Sequence, residues 1–187
     1  MLLKEGIRMR DKLQIVLSGV GGQGLIACGN LIAEAAILHE NKYATLSSSH
    51  GVETRGTFSK SDVIVSNKEI YYPEVIKEDV VLSLAQVAYD RYVSSVGHDT
   101  YLIYDSSMIK DVKESKSRQL GFPFTEIARE LGNIAVANII ALGIIIKLTG
   151  ALKEESIIFA IQNIFSEKPK VIELNIKAFN KGIKLAF

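Results

Sequence analysis

The chain has 187 residues, 48% of them hydrophobic, with 22 lysines and arginines against 21 aspartates and glutamates. That is enough apolar material for one sizeable core and short for two domains. The near balance of charge excludes a basic field for nucleic acid and any preference for an anionic membrane surface. The single cysteine, Cys28, excludes an intrachain disulfide framework, cysteine-pair metal sites and iron–sulfur clusters held by this chain alone.

The first ten residues, MLLKEGIRMR, lack the apolar run of an export signal. With one free thiol in an apolar stretch, a reducing cytoplasm is the expected compartment. Residues 1–11 read as an N-terminal tail, with Met9 an alternative start, and residues 12–187 as a single α/β domain. "LQIVLS" (13–18) is a short apolar run closed by glycine, the mark of a strand buried on both faces. After the glycines, Leu25, Cys28, Leu31, Ile32, Ala35 and Ala36 recur at helical spacing. "KYATLSSS" reads as a second strand, "HGVETRG" as a polar loop and "TFSKSDVIVSN" as a third strand. "KEIYYPEV" is a turn region, because Pro73 has no place in a central strand.

Val80–Leu84 reads as a strand running into a helix, and "DTYLIYDSS" as another buried strand. Strands alternating with helices predict an α/β domain with a mainly parallel sheet and a Rossmann-like phosphate loop at the first strand–helix turn. After Gly121 the pattern becomes helix upon helix, with Gly132 and Gly150 at C-cap positions. The longest apolar stretch, residues 134–146, carries Asn138 and stops at Lys147; it is too short to span a bilayer and reads as a buried helix. There are no internal repeats and no low-complexity linker.

The first candidate site is "GVGGQG". Gly19, Gly21 and Gly24 satisfy G-x-G-x-x-G between a strand and a helix. Bare backbone permits a sharp turn and lets an anion reach N–H groups at the positive end of the helix. The alternative is that the glycines only permit close strand–helix packing. A nicotinamide cofactor needs an acid at the tip of the second strand, which ends instead in Ser47-Ser48-Ser49-His50. Those hydroxyls suit a phosphate or a pantetheine-like chain better than a ribose. Gln23 either works at the loop's mouth or braces the loop by bonding its backbone.

The second candidate is "SSSHGVETRGTFS". Loops after strand C-termini line the crevice of a parallel sheet, so this loop is expected beside the first. Arg55 either clamps a carboxylate or phosphate bidentately or pairs with Glu53 at the surface. Together, "GVGGQG", "SSHGVETRGTFSKSDVIVS", "EIYYPEV", "VLSLAQVAYDRY", "LGNIAVANIIALGIIIKLTG" and "ELNIKAFNKGIKLA" resemble the gamma subunit of 2-oxoacid:ferredoxin oxidoreductases over about residues 12 to 186. The 2-oxoglutarate branch is the nearest, and the pyruvate, branched-chain and indolepyruvate branches are similar.

The resemblance implies a complex that oxidatively decarboxylates a 2-oxoacid to an acyl-CoA and passes electrons to ferredoxin. Thiamine diphosphate and iron–sulfur clusters would then belong to alpha and beta partners, with a possible ferredoxin-like delta subunit. This chain would help hold coenzyme A and assist assembly; in isolation it would be a possible homodimer. Carried over, the phosphate loop is Gly19, Gly21, Gly22, Gln23 and Gly24, and the loop facing the shared active site includes Ser49, His50, Glu53, Arg55 and Gly56. His50 stands where tyrosine is common in the family, and Thr57 replaces a second glycine after the arginine.

Among the remaining residues, Cys28 reads as a packed small hydrophobe, and His39 and His98 as surface residues without metal-ligand spacing. Asn138 must find a partner, by fastening a loop, facing a subunit or bracing local backbone. Tyr71 and Tyr72 form an interface patch or pack over the sheet edge. No Ser–His–Asp or Cys–His arrangement is present, so no autonomous catalysis and no metal site are expected. A free-standing dinucleotide oxidoreductase and a purely structural module are the competing readings.

Overall fold

The computed structural model describes residues 11–50 and 57–186. Its centre is β1 (Lys12–Val20), whose inner residues from Ile15 to Gly19 are all buried. β1 lies in a six-stranded sheet of order β2-β3-β1-β4-β5-β6, with β2 (Tyr43–His50), β3 (Phe58–Ser66), β4 (Val80–Ser83), β5 (Tyr101–Asp105) and β6 (Arg118–Phe122). β1, β4, β5 and β6 run parallel, as the alternation of strands and helices predicts. β3 is antiparallel to both its neighbours.

The second and third predicted strands therefore form a hairpin, without the helix a parallel crossover needs. This order also departs from a doubly wound Rossmann sheet, in which the strand after the first helix is the parallel neighbour of the first strand. Here the antiparallel β3 stands between β1 and β2.

The two sheet faces are covered unequally. Leu13, Ile15 and Leu17 of β1 enter the larger core with α1 (Leu25–Glu34), α3 (Phe124–Glu130), α4 (Ala137–Thr149), α5 (Glu154–Ile164) and α6 (Pro169–Leu185). Val16, on the opposite face, joins Val81, Leu102 and residues of α2 (Gln86–Tyr92) in a smaller core. Gln86, Tyr89 and Asp90 of α2 bond the 110–113 segment and fix it over that face.

The stretch read as a buried helix is one turn of 3-10 helix, Ile134–Val136, followed by α4. All of α4 except Lys147 is buried, which explains why it shows no polar face. α4 and α6 meet at Gly143 and Gly182. A Cβ on either glycine would collide with backbone of the other helix, at Phe179 O and Ile140 O respectively. The missing side chains set how closely these helices approach.

Two elements lie outside what the sequence pattern predicts. α1 continues as a π-helical turn, Ala35–His39, ending at Glu40 and at Asn41 with φ 52°. Glu40 accepts from Lys42 Nζ and Lys153 N, while Lys42 also donates to Ala151 O, so the turn is tied to the α4–α5 connection. β6 is the second. Its residues RQLGF carry little strand signal, and it pairs only with β5 at the sheet edge.

Candidate functional site

β1 and β4 are parallel neighbours whose following helices leave toward opposite faces, α1 to the larger core and α2 to the smaller. This divergence is a topological switch point, where the C-terminal ends of parallel strands open a crevice. The glycine loop, residues 19–24, forms one lip and Leu84–Ala85 the other. Below them, Ser18 Oγ donates to Leu82 O at 2.7 Å, and the Ser18 and Ser83 hydroxyls are 3.3 Å apart, pinning the two strands together.

The loop closes by a turn in which Gln23 N donates to Val20 O at 3.2 Å. Gly22 stands third in that turn with φ 96°, the sign a type II turn requires at this position. The Gln23 carboxamide then bridges the ends of β1 and β4. Its Oε1 accepts from Val20 N at 2.8 Å and its Nε2 donates to Leu84 O at 2.9 Å. Gly19 makes room for it, because a Cβ there would collide with Gln23 Oε1. Gln23 thus braces the loop through backbone, the second of the two roles open to it in the sequence.

Gly24 is the N-cap of α1 at φ 69°, and a Cβ there would meet Asn138 Nδ2. That nitrogen donates to Gly24 O at 2.9 Å across 114 residues. Asn138 is buried, and its Oδ1 finds no partner among the described residues. The polar residue in the most apolar helix therefore fastens the glycine loop. Cys28, fully buried with its thiol pushed up to about 12 by burial, is the small core residue expected.

Two of the motif's glycines are thus filled from inside by the protein's own carboxamides. The outer side of the loop is different. α1 has no side-chain cap and no acid in its first turn. Among the described residues, the N–H groups of Gly22, Gly24, Leu25 and Ile26 have no hydrogen-bond acceptor. Gly22 and Ile26 are exposed, so this positive helix end faces outward.

The described residues that flank the second loop lie beside the first. Ser59 on β3 pairs with Gly19 on one side and His50 on the other, which puts the end of β2 level with the glycine loop at two strand spacings, about 10 Å. Thr57 O accepts from Gly21 N at 3.2 Å, anchoring the return arm of the hairpin to the glycine loop. Ser49 is exposed at the end of β2, opposite Lys60. Glu53, Arg55 and Gly56 lie outside the described residues, as does the side chain of His50. The Thr57–Gly21 contact had no advance signal, since a main-chain acceptor leaves no trace in residue type.

Other polar groups at this edge already have partners. The buried Asp105 accepts from Ser107 N at 2.9 Å and from Thr125 N at 3.0 Å, and so caps the start of α3. On the smaller-core face, the Tyr92 hydroxyl is pushed up to about 12 by burial and by the carboxylates of Asp62 and Glu78. His39 is exposed and tilted against Phe159, with ring centroids 5.4 Å apart. Among the described residues there is no group of three or more His, Cys, Asp or Glu able to hold a metal. No helix there is long and apolar enough to cross a membrane.

Comparison with known proteins places this geometry. The chain is 37% identical to the 2-oxoglutarate synthase subunit KorC of Methanocaldococcus jannaschii, over 98% of this chain and 97% of that one. The crystal structure of the gamma subunit of a keto/oxoacid ferredoxin oxidoreductase from Geobacter sulfurreducens is 36% identical, with a TM-score of 0.79, covering 93% of this chain and 98% of that one. The 2-oxoglutarate:ferredoxin oxidoreductase of Magnetococcus marinus, solved with 2-oxoglutarate, coenzyme A and succinyl-CoA bound, shares the fold at a TM-score of 0.83 and 23% identity. It is matched over 95% of this chain but only 31% of its own, longer chain. Residues 14–185 match the pyruvate ferredoxin/flavodoxin oxidoreductase family, and the chain belongs to that family as one of its gamma-subunit members.

Proposed function

We propose that this chain is the gamma subunit of an oxidoreductase that converts 2-oxoglutarate, in preference to other 2-oxoacids, to its acyl-CoA, and that it contributes the glycine loop to coenzyme A binding. The observation that carries the coenzyme role is the outward row of unclaimed amides at the uncapped, acid-free start of α1, at the switch point between β1 and β4. A pyrophosphate placed there would gain about 0.3–2 kcal/mol from the helix end. Gly22 and Gly24 offer free backbone N–H groups to it, while Gly21, through Thr57, and Gly19 with Gln23 hold the loop in shape.

Thr57, which follows the second loop in the chain, is tied to Gly21, and this supports a role for that loop at the same site. Arg55 is the residue of that loop whose chemistry could fork onto a phosphate or carboxylate, and Ser49, His50, Glu53 and Gly56 are its candidate companions by sequence. The 2-oxoglutarate preference draws support from the near full-length KorC relative. The coenzyme role draws support from the Magnetococcus structure, whose fold is the same. Thiamine diphosphate and the iron–sulfur clusters belong to alpha, beta and delta partners in a cytoplasmic complex, since one cysteine cannot ligate a cluster.

The test is reconstitution with the co-expressed partner subunits. Acceptor reduction should require this chain, coenzyme A and a 2-oxoacid, and kcat/KM should be highest with 2-oxoglutarate among 2-oxoglutarate, pyruvate and indolepyruvate. Arg55→Ala should raise KM for coenzyme A tenfold or more with assembly intact. An unchanged KM would remove the coenzyme role, and a higher kcat/KM with another acid would remove the substrate assignment.

A further inference from the structure

Some lysines of the described residues are ion-paired and others are not, and four of the unpaired ones share one helix. Lys42, Lys60, Lys68, Lys77, Lys113 and Lys147 each face a carboxylate within 4.0 Å. Lys170, Lys177, Lys181 and Lys184 of α6 have no ion-pair partner among the described residues, and the only acid on that helix is Glu173. Lys177, Lys181 and Lys184 stand on one side of the helix, at spacings of four and three residues.

With Asn180 and the single carboxylate Glu173 they line an open groove of about 650 Å³, whose apolar part is Leu131 and Ile176 and whose charged groups are three ammoniums against one acid. The groove is built on a fixed element. α6 is held against α4 by the Gly143–Gly182 crossing, and Ala178, Phe179 and Gly182 are buried.

We propose that this groove docks an acidic, amphipathic segment of another subunit of the complex. This rests on the subunit reading above. Complementarity defines the occupant: carboxylates one helical turn apart, spanning the roughly 10 Å from Lys177 to Lys184, beside an apolar side chain that covers Leu131 and Ile176. A phosphorylated small molecule is a poorer fit. The groove has no arginine fork and no row of backbone amides, and its ammonium groups are spread along a helix rather than converging.

The experiment uses the whole chain co-expressed with its partner subunits. Lys177→Glu/Lys181→Glu/Lys184→Glu is compared with Lys110→Glu/Lys116→Glu, which reverses exposed charges elsewhere. A neutral triple Lys177→Gln/Lys181→Gln/Lys184→Gln separates lost attraction from added repulsion, and far-UV circular dichroism checks that each variant folds. The expected result is tenfold or greater weakening of association in the glutamate triple and a smaller loss in the glutamine triple. The Lys110/Lys116 control should be unaffected, and the wild-type complex should weaken with salt.

Wild-type-like association of both triples overturns the proposal and leaves the subunit reading standing. So does normal assembly with weakened coenzyme A binding, which would make the groove a ligand site. Failure of the wild-type chain to associate at all overturns the subunit reading, and the proposal with it.

Discussion

Alanine at Gly19 should destabilise the protein only while Gln23 is present. The Cβ of Gly19→Ala would take the place of Gln23 Oε1, so the carboxamide must leave its site. Departure breaks the bonds to Val20 N at 2.8 Å and Leu84 O at 2.9 Å. Each is worth about 0.5–1.5 kcal/mol net, and together they set an expected cost of about 1–3 kcal/mol. At this chain length that is a fall in Tm of roughly 2–12 °C.

In a Gln23→Ala background the bonds are already gone. The nearest remaining atom to the new Cβ is then Leu84 Cβ at 3.4 Å, an ordinary contact. Gly19 lies within β1 and is not at positive φ, so alanine there should be neutral or stabilising by up to about 1 kcal/mol. A double-mutant cycle by urea unfolding, followed by circular dichroism, reads the difference. The account requires a coupling of about 1–3 kcal/mol. Additive costs would show that Gly19 and Gln23 do not share a site and would refute the brace.

Three further outcomes follow from the same packing and electrostatics. Gly182→Ala should cost about 1–3 kcal/mol, because its Cβ meets backbone of α4 rather than a mobile side chain; unfolding midpoints measure it, and a neutral result would contradict the close crossing. Burial alone would raise the Glu40 carboxyl, but hydrogen bonds from Lys42, Lys153 N and Ser156 hold it below the ordinary range. Its stabilisation is therefore present above the unfolded pKa of about 4.3 and is lost as pH falls further, so Glu40→Gln should be less stable than wild type near neutrality and converge with it in acid. Tyr92, raised to about 12 by burial and nearby carboxylates, contributes stability below pH ~10 that disappears as pH rises through that value. Tyr92→Phe should flatten this alkaline loss, and ultraviolet titration of the variant should lose a late-ionising tyrosine.

How much of this could be read in advance depended on where each signal lived. The β1–loop–α1 unit was legible, because a continuous apolar run, a glycine cluster and a helical repeat are all local patterns. The hairpin was not. A polar connection at residues 50–56 serves equally as the lip of a crevice or as the turn between antiparallel strands, and only strand pairing separates them. β6 was missed because an edge strand needs few apolar residues, and RQLGF has few.

The glycine motif by itself fits either room for an anion or close strand–helix packing. Its inner positions, Gly19 and Gly24, turn out to admit Gln23 and Asn138. Asn138 announced itself as an amide in the most apolar helix, but its acceptor is 114 residues away and invisible in sequence. The amides left without an acceptor lie at the start of α1.

That row is open to a direct measurement: amide hydrogen exchange of residues 20–27 in the assembled complex, with and without saturating coenzyme A. The account predicts that the coenzyme slows exchange at Gly22, Gly24, Leu25 and Ile26 while β1 is unchanged. Identical exchange in both states, with coenzyme A demonstrably bound, would contradict it.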